Sequence, residues 1–382
     1  MIKLRNIIIF LLLLNLWPQA VWAADVPALD AEAYVLMAAD SGEILASSNA
    51  DAKRYPASTT KIMTLVLALE AVERGEAQLD DTVTTSEYAA SMGGSQVYLY
   101  PGETRTLEEM LIAVAVGSGN DASVAVAEHI GGTMGSFVEM MNKRAAELGM
   151  TGTHYANPHG LHDAEHYTTA ADMAKLAHHA ISVPGLLDYT GIYEYQFRGE
   201  PKPLVLWNTN RLLKWYDGTD GLKTGYTSEA GRNLVATAKR GDMRLISVVM
   251  GVVPVHGHFT ESMELLNYGF NNYAYQLLYP AGQAICAVPV AKGAADTVDA
   301  VLQNPAGVLS KLGEGGEFTT EIKVTELPTA PITAGQQLGE LQILKDGQII
   351  NTLPLLAESA VEKMNLLQGW RQIIGSICSF NY

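Results

Sequence analysis

The sequence predicts an α+β protein with two folded domains. Its 382 residues exceed the length of one ordinary domain. Strand-like runs, at 33–37 and 245–250 among others, alternate with long apolar helices over the first part of the chain. Short β-branched runs broken by Gly and Pro follow from Ala281, and a hairpin is expected to turn at Asp346 and Gly347. We therefore assign residues 24–280 to a large mixed domain and residues 281–355 to a small all-β domain.

The composition limits the classes of function. With 25 Lys and Arg against 41 Asp and Glu, the formal net charge of −16 repels phosphate backbones and argues against nucleic acid as a partner. A mean hydropathy of +0.08 excludes a polytopic membrane protein, and a hydrophobic share of 48% excludes disorder. Two cysteines exclude a disulfide scaffold, and no bond between Cys286 and Cys378 is expected because they lie in different predicted segments.

The first 23 residues have the features of a secretory signal peptide. Lys3 and Arg5 precede an apolar run from Ile7 to Leu16, and small residues indicate cleavage after Ala23. A transmembrane anchor is the alternative, but the run falls short of the ~20 apolar residues that a span needs. The protein is therefore expected to work outside the cytoplasm.

The first candidate catalytic element is a helix that begins near Ser58 and ends near Gly75. Ser58 and Lys61 are three positions apart, so they share one face of a helix. A serine needs a base to take its proton, and burial can lower the pKa of a lysine enough for that task. The spacing indicates a nucleophile and its base, although an ordinary helix start can also carry it.

The second element is a loop with Ser118 and Asn120 between two predicted helices. The first helix begins at a capping box of Thr106 and Glu109, and the second spans 122–130. Short hydroxyl and amide side chains on such a loop can reach a ligand while the helices hold the loop in place.

The third element is the run Lys223, Thr224, Gly225 and Tyr226, ahead of a strand-like run that starts at Asn233. On a strand edge, Lys223 supplies a fixed positive charge, Thr224 a hydroxyl, and Gly225 room for a substrate backbone. Each element alone is common by chance. Their occurrence in this order in one chain indicates a single site.

Residues 356–382 are predicted to form an amphipathic helix. On a helical wheel, one arc carries Leu366, Trp370, Ile374 and Ile377, and polar residues take the other side. A helix this one-sided is expected to lie in a membrane interface rather than cross it. The alternative is packing on its own domain or on a second copy of the chain.

The three motifs together are typical of penicillin-recognising enzymes. The run Pro-Ala-Ser-Thr-Thr-Lys-Ile-Met-Thr around Ser58 resembles the D-alanyl-D-alanine carboxypeptidases, the low-molecular-mass penicillin-binding proteins of bacteria. This resemblance extends over nearly the whole chain. It implies a penicillin-binding/β-lactamase-like catalytic domain that acts on peptidoglycan stem peptides ending in D-Ala-D-Ala, on the outer face of the cytoplasmic membrane. It further implies inhibition by β-lactams and no cofactor.

The resemblance implies a catalytic role for residues of the first two motifs. Ser58 would be the acylated nucleophile, and Lys61 the base that activates it. Ser118 and Asn120 would act as proton relay and substrate clamp.

The resemblance assigns substrate binding to the third motif. Lys223 and Thr224 would hold the terminal carboxylate of the peptide beside Gly225, and the backbone amides of Ser58 and Tyr226 would form the oxyanion hole. Some relatives carry His at the position of Tyr226, which leaves a role for the tyrosine side chain open.

A metal site is the first competing interpretation. Four histidines lie close to two acidic residues in one stretch: His154, His159, His162, His166, Asp163 and Glu165. No His-Glu-x-x-His pattern is present, and the loop resembles a structural stretch of the same family. We therefore expect no metal.

Two other functions share the motifs. A serine β-lactamase would need a carboxylate for deacylation, usually in a Glu-x-x-Leu-Asn loop, and this chain has none between its second and third motifs. A non-catalytic envelope protein that binds peptidoglycan or β-lactams would not require every reactive side chain to be in place. Carboxypeptidase activity is the expected function.

Overall fold

The computed structural model describes residues 26–314, 316–324 and 327–365. The strands of the larger domain are, in chain order, β1 (Ala33–Ala38), β2 (Ile44–Ser48), β3 (Thr82–Thr84), β4 (Thr104–Thr106), β5 (Glu194–Arg198), β6 (Leu204–Trp207), β7 (Thr219–Thr227), β8 (Gly231–Arg240) and β9 (Met243–Val252). One antiparallel sheet has the order β2-β1-β9-β8-β7, while β3 pairs with β4 and β5 with β6. The runs expected at 33–37 and 245–250 are confirmed as strands, and β7 is an edge strand.

Helices cover both faces of this sheet. After a 3₁₀ turn at Ala57–Thr60 they are α1 (Lys61–Glu73), α2 (Glu87–Ala90), α3 (Leu107–Ala115), α4 (Asn120–Gly131), α5 (Met134–Glu147), α6 (Ala170–Ala180), α7 (Leu186–Thr190), α8 (Leu212–Trp215) and α9 (Gly257–Asn272). α9 packs on one face of the sheet, and α1 lies among the helices of the other face. α1 is buried from Lys61 to Ala71, which explains why its sequence is apolar all round.

The predicted helix boundaries agree with the structure to within two residues. The helix expected from Ser58 is the 3₁₀ turn followed by α1, and Gly75 beyond its end has a φ of +72°. The capping box of Thr106 and Glu109 starts α3. α4 begins at Asn120, two residues before the predicted position, so Asn120 lies on the first turn of a helix.

The smaller domain is all β, as predicted. Its strands are β10 (Tyr273–Tyr279), β11 (Ala284–Pro289), β12 (Thr297–Val301), β13 (Ala306–Lys311), β14 (Phe318–Val324), β15 (Gln337–Lys345) and β16 (Gln348–Ala357). They form a sheet of order β11-β12-β16-β15-β14 and a two-stranded sheet of β10 and β13 around an apolar core. The expected hairpin turn is present: Asp346 and Gly347 have φ values of +51° and +79°, as a two-residue hairpin loop requires.

The β-rich region is longer than the predicted 281–355. It begins with β10, because the backbone of Tyr273–Tyr279 pairs with Ala306–Lys311 although the run follows α9 without a break. At its other end Ala357 completes β16, Val361 pairs with Ile332 and Lys363 pairs with Gly293. Residues 356–365 therefore belong to the β-rich region and not to a terminal helix.

Two of the predicted segments lie outside the described residues. These are the signal peptide at 1–23 and the part of the amphipathic helix from 366 to 382. Among the helices within the described ranges, none is long and apolar enough to cross a bilayer.

Candidate active site

Ser58 and Lys61 meet at the start of α1. Ser58 lies in the 3₁₀ turn, and the Lys61 Nζ is 3.0 Å from its Oγ. Lys61 is fully buried, and its Nζ also donates to Asn120 Oδ1 at 2.7 Å and to the His159 carbonyl oxygen at 2.6 Å. These contacts fix the amine within proton-transfer distance of the hydroxyl.

The surroundings of Lys61 favour its neutral form. Burial holds the pKa of Lys61 well below its usual 10.5, and the charge of Lys223 lowers it further, while Asp121 acts in the opposite direction. An unprotonated amine is what a serine nucleophile needs as its base. The sequence analysis expected a buried lysine with a lowered pKa next to Ser58, and Lys61 has this position in the structure.

The second motif lies at the junction of α3 and α4. Ser118 is 3% exposed and has a φ of +56°, so the chain turns sharply there before the helix starts at Asn120. Asn120 uses both ends of its amide: Oδ1 accepts from Lys61, and Nδ2 donates to the Gly93 carbonyl oxygen at 2.7 Å. In this structure Asn120 therefore orients Lys61.

The third motif lies on β7, next to the Ser58 turn. Lys223 is 1% exposed, and its Nζ lies 3.3 Å from Thr209 Oγ1 and 3.4 Å from the Thr224 carbonyl oxygen. Thr224 Oγ1 donates to Thr209 Oγ1 at 2.6 Å. Burial lowers the pKa of Lys223 to about 7. One amine and two hydroxyl groups thus form a cluster that suits a carboxylate.

Gly225 is required by the close approach of β7 to the nucleophile turn. A Cβ at this position would lie 2.8 Å from the Pro56 carbonyl oxygen and 2.9 Å from the Ser58 amide nitrogen. Neighbouring side chains of a strand point to opposite faces, so the Tyr226 side chain points away from Ser58. Its ring is 60% exposed, and the Arg232 guanidinium lies 4.7 Å from the ring centroid.

Three contributors to the site were missed from the sequence. Thr209 joins Lys223 to Thr224, and Asn233, the register partner of Gly225, donates to the Tyr55 and Pro56 carbonyl oxygens at 2.8 and 3.0 Å. The third is the buried carboxylate of Asp121, which accepts from the amides of Val97 and Leu99, each at 3.1 Å. Only Asp121 had a local signal, as an acidic residue in the first turn of a helix.

The histidine-rich loop supports the nucleophile. The His159 carbonyl oxygen binds Lys61, and Gly160, with a φ of +86°, packs so closely that a Cβ would overlap the Ala57 carbonyl group. His166 Nε2 lies 2.7 Å from Thr60 Oγ1, and burial lowers the pKa of His159 to about 3 and that of His166 to about 4. Within the described residues, no group of three or more His, Cys, Asp or Glu side chains is arranged to hold a metal ion.

Comparison with known families covers most of the chain. The family model for D-alanyl-D-alanine carboxypeptidase matches residues 20–253, and the model for the C-terminal domain of penicillin-binding protein 5 matches residues 273–363. The second range begins at β10 and ends at Lys363, in agreement with the strand pairing described above.

Curated relatives and solved structures give the same result. The chain is 39% identical over 384 residues to the D-alanyl-D-alanine carboxypeptidase DacF of Bacillus subtilis, with 99% of each protein covered. It is 35% identical over 349 residues to DacC of Escherichia coli, covering 89% of this chain and 86% of that relative. Penicillin-binding protein 5 of Haemophilus influenzae superposes with a TM-score of 0.70 at 34% identity, covering 89% of this chain and 100% of that one. The chain therefore belongs to the D-alanyl-D-alanine carboxypeptidases, the S11 family of peptidases, and is a hydrolase of that class.

Proposed function

We propose that Ser58 attacks the carbonyl carbon of the penultimate D-Ala in a peptidoglycan stem pentapeptide and releases the last D-Ala. The observation that carries this assignment is the 3.0 Å contact between Ser58 Oγ and the Nζ of the buried Lys61. The amine takes the hydroxyl proton as the Oγ–C bond forms. The family establishes the carboxypeptidase class, and this contact supports the choice of nucleophile and base.

The rest of the site stabilises and completes the reaction. The amides of Ser58 and Tyr226 donate to the developing oxyanion. When the C–N bond breaks, the proton on Lys61 passes through Ser118 to the leaving amine. Asn120 keeps Lys61 in position, and its Nδ2 exchanges the Gly93 carbonyl oxygen for a substrate carbonyl when a peptide binds. Water then hydrolyses the acyl-enzyme.

The carboxylate of the leaving D-Ala binds at the third motif. Lys223 supplies the charge, and Thr224 and Thr209 supply hydroxyl donors within one cluster. Close backbone approach at Gly225 lets the substrate lie along the edge of β7. A β-lactam that mimics D-Ala-D-Ala acylates the same serine and is released slowly.

The test combines mass spectrometry with product release. Wild-type protein should gain the mass of one benzylpenicillin on the peptide that contains Ser58, and it should release D-Ala from a pentapeptide. Ser58→Ala should do neither, while Ser91→Ala, at an exposed serine on α2's end, should do both. An adduct on another residue, or D-Ala release by Ser58→Ala, would contradict the assignment. Rapid turnover of the adduct would favour the β-lactamase alternative.

The chain ends are proposed to place the enzyme at the outer face of the cytoplasmic membrane. Residues 1–23 direct export and residues 366–382 bind the membrane surface, with the β-rich domain between that surface and the active site. The boundary of β16 decides how to test this, because a truncation at Leu356 would remove strand residues. A chain that ends at Asn365 should stay in the supernatant of a membrane sedimentation and keep its peptidase activity. Sedimentation of the truncated chain with membranes would contradict the anchor.

A further inference from the structure

A cavity of about 390 Å³ lies beside the turn that follows β7. Its lining comes from the start of the larger domain, from the segment before Ser58, from the histidine-rich loop and from the turn after β7: Glu32, Lys53, Arg54, Tyr55, Ala164, Tyr167, Glu229 and Ala230. Tyr55 lies three residues before Ser58, and Glu229 lies three residues after Tyr226. The cavity therefore lies where the segment before Ser58 meets the turn after β7, and neither Lys223 nor Thr224 is among its lining residues.

The orientation of the bound stem peptide places the residue that precedes D-Ala-D-Ala near this cavity. This step rests on the proposed function, in which the terminal carboxylate binds at Lys223 and Thr224 and the reacting carbonyl lies at the Tyr226 amide. A peptide extended along β7 in that direction advances by about 3.3 Å per residue past Thr227. The residue that precedes D-Ala-D-Ala then lies level with the turn that carries Glu229, and its side chain can enter the cavity.

The cavity presents charges of both signs. Arg54 and Glu32 form one ion pair, with Arg54 Nε 3.2 Å from Glu32 Oε2, yet this buried N–H makes no hydrogen bond within the described residues. Lys53 Nζ lies 3.8 Å from the centroid of the Tyr167 ring, an arrangement that holds the ammonium without neutralising it. Glu229, on the turn between β7 and β8, also lines the cavity.

We infer that this cavity binds the side chain of the stem-peptide residue that precedes D-Ala-D-Ala, and that it favours a side chain ending in both an ammonium and a carboxylate. Lys53 faces the carboxylate, and Glu229 faces the ammonium. A side chain that ends in an ammonium alone finds only Glu229 and leaves Lys53 without an anion. The cavity would thereby distinguish diamino-dicarboxylic acids from simple diamino acids.

The first experiment compares two pentapeptides on the full-length protein. They differ only in the third residue, which is diaminopimelic acid in one and lysine in the other. The kcat/KM for D-Ala release should be roughly tenfold higher for the diaminopimelic acid peptide, the size expected when one charged group gains a hydrogen-bonded partner. Equal kcat/KM values, or a preference for lysine, would overturn the inference.

The second experiment locates the preference. Lys53→Met should bring the ratio of the two kcat/KM values close to one, whereas the matched variant Lys143→Met, at a lysine whose side chain is 79% exposed on α5, should keep the wild-type ratio. A general loss of activity cancels in this ratio because both substrates are measured on the same protein. An unchanged ratio in Lys53→Met would overturn the inference.

The proposed function is checked separately on the same samples. Benzylpenicillin and acetyl-D-Ala-D-Ala lack the third-residue side chain, so acylation of Ser58 and D-Ala release from the short substrate by the wild type report the active site alone. If these succeed while the two pentapeptides are equal, only the cavity assignment fails. If they also fail, the proposed function fails with it.

Discussion

The two domains of this protein differ in what their cores contain. Among the described residues of the β-rich region, Gln342 is the polar side chain that is buried, and the remaining core is apolar. The larger domain buries Lys61 and Lys223 completely or nearly so, together with Asn120 and Asp121. Burying such groups costs free energy unless they are paired. The larger domain therefore accepts this loss of stability at the place where the reaction needs a buried amine. The core of the β-rich region contributes to stability alone.

The pairing inside the larger domain shows how this cost is limited. Within the part of the chain that the structure describes, the Lys61 Nζ contacts no carboxylate, and its three partners there are a hydroxyl, an amide oxygen and a backbone carbonyl oxygen. In the neutral amine, the Asn120 and His159 oxygens accept hydrogen bonds from the two N–H groups, and the lone pair is left to take the Ser58 hydroxyl proton. A carboxylate in the same place would raise the pKa and remove the base.

The largest expected effect comes from removing the buried amine of Lys61 in the larger domain. Lys61→Met keeps an unbranched side chain of similar length but has no amine, so acylation of Ser58 by benzylpenicillin should slow by about 10³-fold. Stopped-flow or quenched intact-mass kinetics measure this rate, and circular dichroism checks the fold. Acylation at the wild-type rate would mean that another group activates Ser58.

A core substitution in the β-rich region tests whether that core contributes to stability and not to catalysis. Leu341→Ala on β15 removes a fully buried side chain and should lower the free energy of unfolding of that domain by about 3 kcal/mol. The kcat/KM for a soluble pentapeptide should stay at the wild-type value under native conditions. A matched loss of kcat/KM in the folded variant would show that the β-rich region contributes to the site.

A pH-dependent effect, smaller per pH unit than the loss at Leu341, is expected at Lys223. Its pKa is about 7 in the folded protein and 10.5 when exposed, so the unfolded chain binds more protons between these values and stability rises with pH there. Relative to Lys223→Met, the wild type should gain at most ~1.4 kcal/mol of unfolding free energy per pH unit in this window. Urea titrations of both proteins at several pH values measure the difference. A constant difference would contradict a buried, deprotonating Lys223.

The parts of the site that sequence could predict are those held together by local spacing. Ser58 and Lys61 share a helical turn, Ser118 and Asn120 share a loop, and Lys223 with its neighbours shares one strand, so each pattern is readable without the fold. Thr209 and the His159 carbonyl oxygen reach the site only through tertiary packing. Because every residue has a backbone carbonyl oxygen, the sequence does not show which of them binds Lys61.

The fold shows the same limit at its domain boundaries. The turn at Asp346 and Gly347 was predictable because two residues with positive φ define it. Tyr273–Tyr279 follows α9 directly, and only its hydrogen-bonded partner β13 makes it a strand of the second domain. Likewise, Val361 and Lys363 pair with the β-rich region through long-range β-bridges, which no local sequence pattern predicts.

The pH dependence of Ser58 acylation tests the central claim most directly. If the buried Lys61 is the base, the rate of benzylpenicillin acylation should rise with pH and reach a plateau well below the ordinary lysine pKa of 10.5. The plateau should vanish in Lys61→Met. A wild-type rate that keeps rising about tenfold per pH unit up to pH 10.5 would show an ordinary lysine or direct hydroxide chemistry, and would contradict the account.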